Sequence, residues 1–98
     1  MYRHGDVMIV PFDEVPFEAT KQAHLILMRG EITGHSHRIA ERDAAELWEH
    51  RGMLYLRVTA PQATLVHEEH NAIELPRGIY RVWAQREYTP REIIRIVD

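Results

Sequence analysis

The chain has 98 residues, no cysteine, and twelve basic against fifteen acidic side chains for a formal net charge of −3. The lack of thiols excludes disulfides, thiolate zinc sites and cysteine nucleophiles, so any metal must sit on nitrogen and oxygen ligands. The near-balanced charge gives no global pull toward nucleic acid or an anionic membrane.

With 45% apolar and 28% charged residues, the composition is that of one folded domain spanning 1–98. A domain of this size buries only about 60–65% of its unfolded-chain surface, and a homodimer is expected because association adds to that burial. Met1 to Asp6 shows no basic segment followed by an apolar run, and no stretch approaches the ~18–20 apolar residues of a membrane span. A cytoplasmic protein without membrane partners is therefore expected.

Asp6 to Phe12 contains the β-rich run Val7-Met8-Ile9-Val10, closed by Pro11 and by a loop with Asp13, Glu14 and Pro16. Ala23 to Met28 is apolar on both parities, which predicts a strand covered on both sides, and Gly30 ends it. A strand resumes at Ile32, on which His35, His37 and Ile39 share one face while Ser36 and Arg38 share the other. From Glu41 to Glu49 two readings compete: a capping box at Asp43 and Glu46, or a strand through Leu47-Trp48 that turns at Arg51-Gly52. The hairpin is preferred.

Met53 to Val58 reads as a strand with Leu54, Leu56 and Val58 on one face, broken by Pro61. Thr64 to His67 is read as a separate strand, after which Asn71 and Leu75-Pro76-Arg77-Gly78 punctuate the chain. Ile79 to Tyr88 alternates most clearly, with Tyr80, Val82, Ala84, Arg86 and Tyr88 on the core-like parity. Thr89-Pro90-Arg91-Glu92 resembles a capping box, but Ile93 to Val97 also suits a last strand. Short strands at regular spacing predict an all-β, single-domain β-barrel or sandwich.

Chemistry concentrates in two histidine pairs, His35 with His37 and His67 with His70. Imidazole is the commonest metal ligand and the usual acid or base near neutral pH, so the residue types alone leave both roles open. A regular strand sends His67 and His70 to opposite faces, and both reach one ion only across a bulge or turn. His35, His37 and His70 form the expected ligand set for a divalent transition metal whose identity the sequence leaves open.

The alternative is a metal-independent phosphodiesterase or ribonuclease acting on RNA or a cyclic oligonucleotide. In it His35, His37, His67 and His70 supply acid and base, with Arg86 and Tyr88 beside them and Arg38 and Arg81 as further cations for phosphate. A third reading is a non-catalytic module that binds a small ligand or a protein through the same cavity. A small-molecule or nucleotide substrate is expected in the enzymatic cases.

Gly30, His35, His37 and Glu41 resemble the first motif of small cupins, with one residue fewer between glycine and histidine. Pro76 and Gly78 resemble the second, with Arg81 standing where that family has a histidine ligand. The resemblance implies a cupin-like β-barrel and a metal-dependent enzyme whose site lies in the barrel mouth.

Overall fold

A computed structural model describes residues 1–30 and 34–85 of the chain. Its elements are β1 (Tyr2–His4), β2 (Val7–Pro11), β3 (Thr20–Lys21), β4 (Ile26–Arg29), β5 (Ser36–Ile39), β6 (Ala45–His50), β7 (Met53–His67) and β8 (His70–Ala84). The fold is all-β, as expected, and the described strands form one antiparallel sheet in the order β1-β2-β8-β7-β5-β4, with β6 and β3 branching from β7.

Alternation decides which side chains go inward. Val7 and Ile9 of β2, Ala45 and Leu47 of β6, Leu56 and Val58 of β7, and Tyr80, Val82 and Ala84 of β8 are buried at period two. All but Ala84 join one cluster with Leu27, Ile39, Ala63, Leu65 and Leu75. A core drawn from one connected sheet requires that sheet to curl around it, which gives the small barrel-like form. Each fully buried leucine or isoleucine contributes about 1.5–3 kcal/mol relative to exposure.

Two long strands carry the rest. β7 and β8 pair from Leu54↔Val82 to His67↔His70, straight past both stretches expected to interrupt them. Pro61 does not end β7, nor do Pro76 and Gly78 end the chain's run in β8. The register shifts between Val58 and Gln62, so Thr59, Ala60 and Pro61 oppose only Arg77. A bulge is where a proline without an N–H fits in a sheet. The carbonyl of Ala44 holds the bulge by accepting the Thr59 and Ala60 amides at 2.9 and 3.2 Å.

The expected turn at Arg51-Gly52 is present, with φ of 52° and 81°, the left-handed pair that a two-residue hairpin loop requires. Asp43 and Glu46 open a strand rather than a helix. β4 is covered on one side only, with Leu27 buried and Ile26 and Met28 half-buried. Two strands were not foreseen: Thr20–Lys21 pairs with β6, and Tyr2–His4 pairs with β2 across the two-residue loop Gly5-Asp6. The strand start at Ile32, Arg86, Tyr88 and the segment from Thr89 onward lie outside the described residues. Among the described residues no helix is long and apolar enough to cross a membrane.

The open end of the ribbon positions the site. One edge of β7 pairs with β6 over Met53–Val58 and then with β5, but only at Leu65↔Ile39 and Val66↔Arg38. Beyond those two pairs the ladder splits, and side chains occupy the gap.

Candidate metal centre

His67 and His70 flank the loop Glu68-Glu69 and stand opposite one another at the tip of the β7–β8 hairpin. The turn puts both on one face, so the histidines that a straight strand would separate have ring centroids 4.7 Å apart. β5 supplies His37, buried beside Ile39 as its parity requires. Its ring lies 4.2 Å from that of His67 and stacks at 21° on that of His70, 5.6 Å away. One ring nitrogen from each of His37, His67 and His70 lies within 4.8 Å of the others. Three nitrogens bound to one ion sit roughly 3–3.5 Å apart, given metal–nitrogen bonds of about 2.0–2.1 Å, so modest side-chain rotation closes the set.

A fourth imidazole, His4, sits behind this trio. Its missed signal is the Gly5-Asp6 dipeptide, a two-residue hairpin loop that returns the chain and aims His4 inward. His4 is buried and makes two hydrogen bonds, Nε2 to the Asn71 carbonyl and Nδ1 to His37 Nδ1, both at 2.8 Å. A carbonyl only accepts, so His4 carries its proton on Nε2 and its Nδ1 is the acceptor. His37 must then donate from Nδ1, which leaves its lone pair on Nε2. Burial, followed by the neighbouring His67, His4 and His70, lowers His37 to about 4. Burial likewise lowers His4, so both are neutral at pH 7.

The hairpin tip is tied to β5 by side chains where backbone pairing has stopped. Glu68 accepts the Ser36 amide at 3.1 Å and pairs with Arg38, also at 3.1 Å. Its own amide, then the Ser36 amide, and then Arg38 hold its carboxyl below the usual range. The Glu69 amide donates to His67 Nδ1 at 2.9 Å, so the neutral His67 ring carries its proton on Nε2. His35 lies on the outer side, 5.7 Å from the His67 ring, with Nδ1 3.4 Å from a Glu69 oxygen. It belongs to a second set with His67 and Glu68 rather than to the set containing His37.

Gly5 shapes the floor. Its φ is +61°, and a Cβ there would meet His70 Nε2 at 2.7 Å, so glycine serves both the turn and the ring above it. An open pocket of about 250 Å³ is lined by Gly5, Met28, His35, His37, His67 and His70, among others. A larger cleft of about 770 Å³ runs beside Leu25, Ile39 and Leu47, but it holds none of these four histidines. Chemistry rather than size therefore selects the smaller one.

Other expected participants are held elsewhere. Arg38 faces away from the rings, bound by Glu68 and the Ser36 carbonyl. Arg81 stacks 5.2 Å from Phe12 and 5.6 Å from Trp83 on the outer face, opposite in parity to the core residues Tyr80 and Val82. Glu41, a ligand position in the cupin frame, instead accepts the Thr64 amide and hydroxyl at 2.8 and 2.6 Å. Arg86 and Tyr88 lie outside the described residues.

No curated protein and no solved structure matches the chain. One family model does, over residues 3–85, from the strand that supplies His4 to the end of β8, and its description names no cupin. On that match the chain belongs to the family described as Domain of unknown function (DUF8820).

Proposed function

We propose that this protein is a small β-barrel enzyme that binds a divalent transition metal through His37, His67 and His70. One observation carries the reading: the run from the Asn71 carbonyl through His4 fixes the His37 ring and leaves its lone pair on Nε2, in a trio of imidazoles that each bring a ring nitrogen within 4.8 Å of the others. A ligating histidine characteristically donates its second N–H to a fixed acceptor, which sets the tautomer and ring orientation. His4 is that acceptor here.

Burial also disfavours protonation of His37 and of His4 behind it, which suits lone-pair donation from His37 to a metal. Three imidazoles leave at least one position on a bound ion open, and such an ion supplies an activated water or polarises a substrate oxygen. The 250 Å³ pocket admits only a small substrate or the reacting end of a larger one. A cytoplasmic location completes the proposal.

The test is a cobalt(II) titration of metal-stripped protein. A saturable visible absorption band should form and disappear in His37→Ala. Absence of any saturable ion binding would remove the reading.

A second reading has one observation of its own. His37 presents a lone pair and His67 an Nε2–H, the complementary forms needed for metal-free acid–base cleavage of a phosphodiester. The low basicity of His37 weighs against it, because a general base works best near the operating pH. Cleavage of RNA in EDTA that His37→Ala abolishes would reverse the ranking.

A further inference from the structure

The sheet forks at β7, and the fork leaves an opening away from the paired histidines. β6 and β5 follow one another along one edge of β7, at Met53–Val58 and then at Leu65 and Val66, and among the described strands neither pairs with the other. Each carries one more strand, β3 on β6 and β4 on β5. The chain between β3 and β4 crosses from branch to branch: the Gln22 amide donates to the Leu47 carbonyl at 2.8 Å, and the Leu25 carbonyl accepts the Ile39 amide at 3.0 Å. Along this seam lies the cleft of about 770 Å³. Small-molecule sites run from roughly 300 to 1,000 Å³.

The lining of the seam is divided between apolar surface and cations. Leu25, Ile39, Ala45 and Leu47 supply the first, and the last three belong to the buried core. Lys21, Arg38 and Arg42 stand against a single acid, Glu46, in a chain whose overall charge is −3. That acid is already shared between Lys21 at 3.9 Å, Arg57 at 3.5 Å and the Trp48 indole N–H at 3.3 Å. Arg38 is paired with Glu68. Arg42 has no acidic partner among the described residues, while Glu41 beside it is engaged by Thr64. His24 adds a neutral donor: its Nδ1 accepts the Ile26 amide at 3.0 Å, so the ring N–H is on Nε2.

We infer that the seam is a second binding site, independent of the metal reading, which takes a small aliphatic carboxylate with its chain along Leu25 and Ile39 and its anionic end on Arg42. A guanidinium presents parallel N–H donors that match a carboxylate, and this one is not already spent on a protein acid. Among the described residues no phenylalanine, tyrosine or tryptophan lines the cleft, so it lacks the platform on which a nucleobase stacks. Glu46 opposes a polyanion. One negative charge on an aliphatic body answers to both halves of the lining.

The experiment is a titration of nitrogen-15-labelled protein with millimolar octanoate, followed by amide resonances, and repeated with acetate, octan-1-ol and octyl phosphate. Octanoate should shift the amides of Leu25, Ile39, Arg42 and Leu47 saturably and leave those of His67 and His70 in place. Acetate, which keeps the charge without the chain, and octanol, which keeps the chain without the charge, should each bind more weakly. Arg42→Gln, at an exposed position, should weaken octanoate about fivefold or more with the remaining amide pattern intact, and Arg42→Lys should recover part of the loss.

No saturable shift at the seam overturns the inference, and so does octanoate that moves the His67 and His70 amides instead. Octanol as tight as octanoate, or an affinity unchanged in Arg42→Gln, overturns the role of the cation. Acetate as tight as octanoate overturns that of the apolar floor, and a clear preference for octyl phosphate overturns the choice of a carboxylate.

Discussion

The two halves of β7 are built from the same backbone but solve different problems. From Leu54 to Val58 the strand is paired on both edges without interruption, and its inward side chains Leu56 and Val58 are almost wholly buried. From Leu65 to His67 one edge keeps only two pairs with β5, a register shift opens the ribbon, and imidazoles and carboxylates take over the contacts. Continuous pairing yields rigidity and a dry core; interrupted pairing yields room for polar side chains on a frame still anchored one turn away. The pocket therefore lies where the β7 ladder is interrupted, beyond the half in which it is continuous.

Breaking the first half should have the largest effect. Leu56→Ala empties a fully buried position and should cost about 2–5 kcal/mol in urea unfolding, with no direct change at the rings.

Acid should attack the second half. His37 takes its proton at about 4 in the folded protein and near 6.5 when exposed. Between those values the unfolded chain binds more protons, so stability of the metal-stripped protein should be constant above pH 6.5 and fall as pH drops toward 4. His37→Gln, which cannot titrate, should flatten that slope in denaturation midpoints measured across the range.

A glycine pair sharpens the contrast. Gly52→Ala places a side chain in open space at φ +81° and should cost about 1 kcal/mol without touching metal affinity. Gly5→Ala carries a similar backbone strain but also drives a methyl into His70, so it should weaken cobalt binding as well. Smallest of all, Arg77→Ala, an exposed residue facing the bulge, should change stability by no more than about 0.5 kcal/mol.

What could be read without coordinates follows the same division. Tyr80, Val82 and Ala84, the Leu56 and Val58 face, and the turn at Arg51-Gly52 were all legible, because alternation and left-handed turn chemistry are local properties. Pro61 and Pro76-Gly78 misled: read locally they end strands, yet Gln62 pairs with Pro76 beside a bulge where the sheet tolerates them.

The pairs His35–His37 and His67–His70 drew attention by density, but their division into two sets depends on a two-residue turn and a split ladder. His4 was the hardest to see. Its meaning comes from partners 33 and 67 residues away.

That long-range contact has a consequence for assembly. The His4 ring joins β1 to β8, so the centre cannot mature until the β1–β2 and β7–β8 hairpins have found each other. A fragment lacking either terminal hairpin would retain apolar ribs yet have no seat for an ion, which makes ion retention a sensitive reporter of complete closure.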